Sequence, residues 1–136
     1  MASGLGRTPL YYASSNGHDS VVELLLRYDG IDVNKEDDNG GTPLVLASMK
    51  GHVKVVGLLL QKDGIDINKP SNDGTTPLFS AALSGREKVV DALLMMPDID
   101  VDKADFNGAT PLHGAAQNGN VKVVQALLSK SGTGRR

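Results

Sequence analysis

The sequence predicts an all-α solenoid, a row of stacked helix-turn-helix units joined by short β-hairpin-like loops. Two observations predict it. Thr-Pro-Leu occurs at 8–10, 42–44, 76–78 and 110–112, spaced by 34 residues each time, and a fixed period of that length is the mark of a repeat architecture. Around it the same residue types return in step: Ala13, Ala47, Ala81 and Ala115; Gly17, Gly51, Gly85 and Gly119; Val pairs at 21/22, 55/56, 89/90 and 123/124; Leu pairs at 25/26, 59/60, 93/94 and 127/128. Four periods fill the 136 residues. They are read as approximately 3–36, 37–70, 71–104 and 105–136 within a single domain, 1–136.

Each part of the period has a physical reading. Thr before Pro opens a helix, because the hydroxyl caps an orphan amide and Pro at the first helical position has no amide to lose. This first helix is short and is expected to end near Gly17, Gly51, Gly85 and Gly119, since Gly suits the left-handed residue after a helix. A second helix is expected at about 19–28, 53–62, 87–95 and 121–130, with its Val and Leu pairs gathered on one face. Ile-Asp-Val or Ile-Asp-Ile follows at 31–33, 65–67 and 99–101, and then Asn39-Gly40, Asp73-Gly74 and Asn107-Gly108. That alternation and those dipeptides predict a short extended hairpin with a tight turn. One such unit cannot cover its own apolar stripe, so neighbours must stack into a continuous core.

The order of elements, and above all Asn107-Gly108-Ala109-Thr110-Pro111-Leu112-His113-Gly114-Ala115-Ala116, resembles the ankyrin repeat. The family's usual period is one residue shorter, and the extra residue is placed at Asp29, Asp63 and Pro97 or Asp98, between second helix and hairpin. The resemblance implies a non-catalytic scaffold without cofactor that binds another protein through a slightly concave face of hairpin tips and first helices. It also implies that His113 hydrogen-bonds within neighbouring loops.

Composition excludes several other functions. Fourteen Lys and Arg against 16 Asp and Glu give a net charge of -2, without the basic surplus that nucleic acid or anionic lipid binding requires. Zero Cys removes disulfides, thiolate metal sites and cysteine nucleophiles, and suits a reducing compartment. The apolar runs fall far short of a membrane span, and the first residues form no apolar signal segment. A soluble, intracellular protein, cytoplasmic or nuclear, is therefore expected. His18 and His52 share one repeat position, and no His or Cys lies three or four residues from any of the three His, so zinc spacing is missing. Gly4, Gly6, Gly40 and Gly41 fall in turns without the Lys-Ser/Thr of a phosphate loop. No Ser-His-acid set is evident.

Charge is unevenly placed. Segments 29–38, 63–73 and 98–105 hold twelve acids and three Lys, so the hairpin edge is acidic. Asp32, Asp66 and Asp100 recur and are expected to close their own turns. Glu36, Asp37 and Asp38 have no such role in this reading and would concentrate negative charge at the first hairpin, suiting a partner with a basic face.

Positions that vary between copies, where the fold itself does not dictate the residue, are the candidate contacts. At the tips these are Asp38, Asn39 and Gly41; Asn72, Asp73 and Thr75; Phe106 and Asn107. At the ends of the first helices they are Met49 and Lys50, Leu83 and Ser84, Gln117 and Asn118. Met49, Leu83 and Phe106 are apolar where the repeat does not require it, and Phe79 takes the place of the His of the fourth copy, so these four are candidate anchors. Phe79 and Leu83 equally suit a space-filling role between first helices. Leu24, Leu25, Leu26, Val123, Val124, Leu127 and Leu128 leave the outer units without polar caps, which predicts a segment of a longer array or weak end-to-end self-association. A structural spacer from a longer chain and an engineered binder are the alternative readings.

Overall fold

The computed structural model describes residues 6–130; Gly4, Leu5 and the segment 131–136 lie outside them. Among the described residues there are eight helices and no strand. The first helices of the four pairs are α1 (Pro9–Ser15), α3 (Pro43–Lys50), α5 (Pro77–Leu83) and α7 (Pro111–Asn118). The second helices are α2 (Asp19–Leu26), α4 (Val53–Leu60), α6 (Glu87–Leu94) and α8 (Val121–Lys130).

Every first helix starts on its Thr. Thr8, Thr42 and Thr76 accept hydrogen bonds from Tyr11 N, Val45 N and Phe79 N at 3.1, 3.2 and 3.1 Å. At Thr110 the cap is reciprocal: His113 N donates to the Thr hydroxyl while His113 Nδ1 accepts from Thr110 N at 2.9 Å. His113 thus hydrogen-bonds where the adjoining loop enters its own helix, its Nδ1 lone pair facing the free amide of the capping residue. Gly51 and Gly119 terminate α3 and α7 with φ of 79° and 82°, a left-handed backbone that disfavours a side chain.

Helices α2, α4 and α6 stop one or two residues earlier than the sequence suggests. Tyr28 N bonds to Leu25 O, Lys62 N to Leu59 O and Met96 N to Leu93 O, and these three-residue closures tighten the last turn and lead the chain off the helix. The Ile-Asp-Val stretches are turns, not strands. Asp32, Asp66 and Asp100 each accept from the amide two residues on, Asn34 N, Asn68 N and Asp102 N. That bond bends the backbone before a ladder can form. The tight turns expected after them are present, closed by pairs such as Asp37 N to Gly41 O and Gly40 N to Asp37 O at 3.0 and 2.9 Å.

The core runs unbroken through the stack. Leu10, Leu44 and Leu78 lie between the helix layers, Val22, Val56 and Val90 repeat the pattern on the second helices, and Leu59, Leu93 and Leu127 continue it. First helices pack more closely on one another than second helices do, and Ala47, Ala81 and Ala115, fully buried, permit that approach. At the outer units Val21, Leu24 and Leu128 are exposed while Leu127 is enclosed, so Leu127 is core and not part of an open edge.

Polar staples fix the register between pairs. Asn34 donates its amide to Gly64 O at 2.7 Å and accepts from Asp66 N at 2.8 Å; Asn68 repeats both bonds with Asp98 O and Asp100 N. On the other side His52 Nε2 meets Ser15 O at 3.0 Å, and Arg86 Nε, at the same repeat position, donates to Met49 O at 3.0 Å. His52 is therefore a structural residue. Substituting Asn68→Ala should lower stability by roughly 1–2 kcal/mol in urea denaturation, because two backbone groups of the next unit lose their partner. Gly57, inside α4, would meet nothing within 4 Å on gaining a methyl group, so Gly57→Ala should raise stability by about 0.5–1 kcal/mol in the same measurement.

Candidate interaction groove

The tight turns and the first helices enclose a groove along one side of the stack. Its first part, about 440 Å³, is lined by Tyr11, Val45, Leu46 and Met49 below and by the turns around Asp37 and Asp73 above. Its second part, about 450 Å³, is lined by Met49, Phe79 and Leu83, with Asp73, Asp105 and Asn107 on the turn side and Gln117 at the far end. A separate depression of about 370 Å³ lies between α2 and α4, where Gly57 carries no side chain; Lys54, exposed, and Asp19, half-buried, pair beside it at 3.6 Å.

The turns form a hydrogen-bonded row. Asn72 N bonds to Asn39 O at 2.9 Å and Phe106 N to Asp73 O at 3.1 Å. The Asn72 side-chain amide adds a bond to Asp38 O at 2.9 Å, so Asn72 ties two turns together. Gly40 sits directly under Asn72, and a Cβ there would lie 2.5 Å from its Oδ1.

Charge at the first turn is arranged differently from the sequence-based expectation. Asp37 closes its own turn after all: it accepts from Asn39 N and Gly41 N, each at 2.9 Å, and lies 3.6 Å from Arg7 Nε with its side chain only 3% exposed. Burial pushes its carboxyl upward. Bonds from Gly41 N, the Tyr11 hydroxyl and Asn39 N, together with the Arg7 charge, more than offset this and hold it below the usual 3.8. Glu36 pairs with Lys69 at 3.1 Å. Of the three acids, Asp38 alone remains exposed without such compensation, so the field at this tip is weaker than a count of acids implies.

The candidate contacts divide into four groups. Met49 and Leu83, both 38% exposed, line the groove together with Ser84, Thr75, Asp73 and Gln117. Phe79, 7% exposed, and Gly41, buried, form its floor; Phe79 packs between first helices and cannot protrude as an anchor. Phe106 is 78% exposed but stands on its turn tip, with its ring against Gly74. Asp38, Asn39 and Asn107 are exposed on the turns. Lys50 is tied down by a 2.7 Å bond to Ser15 Oγ, and Asn118 leans over Gly85.

Sequence reasoning missed Arg7, Tyr11, Ser80 and Asp105. The signal was present in the period: Arg7 shares a position with Gly41, Thr75 and Ala109, Tyr11 with Val45, Phe79 and His113, and Ser80 with Tyr12, Leu46 and Gly114. The first cluster is compact. The Arg7 guanidinium lies 5.4 Å from the centre of the Tyr11 ring, and Tyr12 packs edge-on to that ring at 5.9 Å.

Among the described residues no group of three His, Asp or Glu is placed to hold a metal ion, and no helix is long and apolar enough to cross a membrane. The family model for ankyrin repeats (3 copies) matches residues 2–71, 33–105 and 68–134. The chain belongs to the ankyrin repeat family. Ankyrin repeats generally mediate protein–protein interaction, and the family is typically non-enzymatic. No curated protein matches the chain.

Asp37 generates a pH prediction. Its folded-state pKa is depressed, so its contribution to stability is present above the unfolded value of about 3.8 and is lost as pH falls through the folded value. Asp37→Asn should therefore melt below the wild type at pH 6. The gap should narrow as both are acidified from pH 5 toward pH 3; a gap independent of pH would show that the charge contributes nothing.

Proposed function

We propose that this ankyrin repeat chain is a non-catalytic scaffold that binds a partner protein along the groove between its tight turns and first helices. The single observation that carries the reading is the half-open apolar pair Met49 and Leu83, which lies in a concavity whose walls are fixed by backbone hydrogen bonds from turn to turn. Apolar side chains at the centre of a preformed, polar-rimmed surface are the usual seat of binding energy. Preformed walls also lower the ordering cost of association.

In this reading Phe79 and Gly41 shape the floor, and Asp73, Thr75, Ser84 and Gln117 supply polar contacts along it. Asp38, Asn39, Asn72, Phe106 and Asn107 meet the partner from the tips, with Lys50 and Asn118 at the helix ends. The acidic rim favours a partner with a basic face. Long-range attraction of that kind raises the association rate and weakens with salt.

The test is affinity capture with the chain and with its Met49→Glu/Leu83→Glu variant, at low and high salt. The wild type should retain a partner that the variant loses, while the variant's melting temperature stays within a few degrees, as surface substitutions allow. Equal capture by both proteins would remove the groove from the interface.

A further inference from the structure

Arg7, Tyr11 and Asp37 stand two periods before Thr75, Phe79 and Asp105, so the two sets occupy equivalent places in the repeat. In the first set a guanidinium lies 5.4 Å from an aromatic ring centre and 3.6 Å from a carboxylate. In the second the aromatic ring and the carboxylate return, buried to the same degree in the case of the rings, at 6% for Tyr11 and 7% for Phe79. The cation does not return, because its position holds Thr75.

Three further observations converge on this place. Ser80 stands where the first set has Tyr12; it is 5% exposed, lines both parts of the groove, and its hydroxyl has no hydrogen-bond partner among the described residues. Asp105 spends one carboxylate oxygen on Asn107 N and Ala109 N, and Asp73 spends one on Ser71 and Thr75. No described cation pairs with either. The smaller Ser80 leaves the recess open beneath Met49 and Leu83.

We infer that this recess receives an arginine side chain of the bound protein. The guanidinium lies over Phe79, hydrogen-bonded to the oxygen that Asp105 does not use in its turn, to the Asp73 carboxylate and to Ser80 Oγ, and the arginine methylenes pack on Met49 and Leu83. Two carboxylates and a hydroxyl are all acceptors toward such a ligand, and the five N–H groups of a planar guanidinium serve them better than the single ammonium of lysine. The aromatic floor adds a cation–π contact of the kind that Arg7 makes with Tyr11. The inference rests on the groove being the binding face.

The experiment selects a displayed library of short random peptides on the full chain and then measures the enriched peptides by fluorescence polarisation. They should share one arginine whose replacement by alanine weakens binding at least about tenfold. Thr75→Arg, which supplies the guanidinium from within the chain, should weaken binding as strongly without lowering the melting temperature, and the isosteric Asp105→Asn should weaken it too. Peptides without a common arginine, enrichment of none, or undiminished binding to both variants would overturn the inference. Arginine-free peptides that still lose affinity for Met49→Glu/Leu83→Glu would leave the groove standing as the interface. Peptides indifferent to that pair would remove the groove itself.

Discussion

The structure depends on one constraint: a helix pair of this length cannot cover its own apolar stripe. Val22, Val56 and Val90, and Leu59, Leu93 and Leu127, become core because a neighbouring pair lies against them. Stability in such an array is a sum of unit and interface contributions. The interface is accordingly where the chain repeats itself most strictly, in the small Ala47, Ala81 and Ala115 that let first helices approach, and in the Asn34 and Asn68 staples that set the register. The exposure of Val21 and Leu24 on α2 follows from the same constraint, since among the described residues no pair packs outside them.

Stacking also fixes the spacing of the turns. Their backbones are held by one another through Asn72 N to Asn39 O and Phe106 N to Asp73 O, and by acids that fold back on their own amides. That second device changes the meaning of the acidic composition. A carboxylate such as Asp37, buried and bonded to two amides and near a guanidinium, is a structural part of the turn. Asp73 and Asp105 use one oxygen for the same purpose and line the groove. The groove's polarity is thus a remainder after turn closure.

Much of the architecture was legible in the residues. The period of 34 and its apolar pairs locate the eight described helices, and the Thr-Pro pairs fix where the first helices start, because capping is decided by a few neighbouring residues. The turns were legible for the same reason, although the strands expected beside them gave way to Asp side-chain bonds at Asp32, Asp66 and Asp100. The candidate contacts were only partly legible. Variation between copies singled out Met49 and Leu83, which do line the groove, together with Phe79 and Gly41, which are buried in its floor, and Lys50, which is tied to Ser15.

The sequence by itself determined the number and order of the described helices, the starts of the first helices and the repeating Val and Leu positions of the core, since each rests on local capping or on a periodic apolar face. Tertiary structure alone decided which acids remain available, which His and Asn act as staples, and which aromatic side chains are floor. Those outcomes depend on pairs such as Arg7 with Asp37, His52 with Ser15 and Asn34 with Gly64. Such residues lie about a full period apart, and they meet only when one unit is laid on the next.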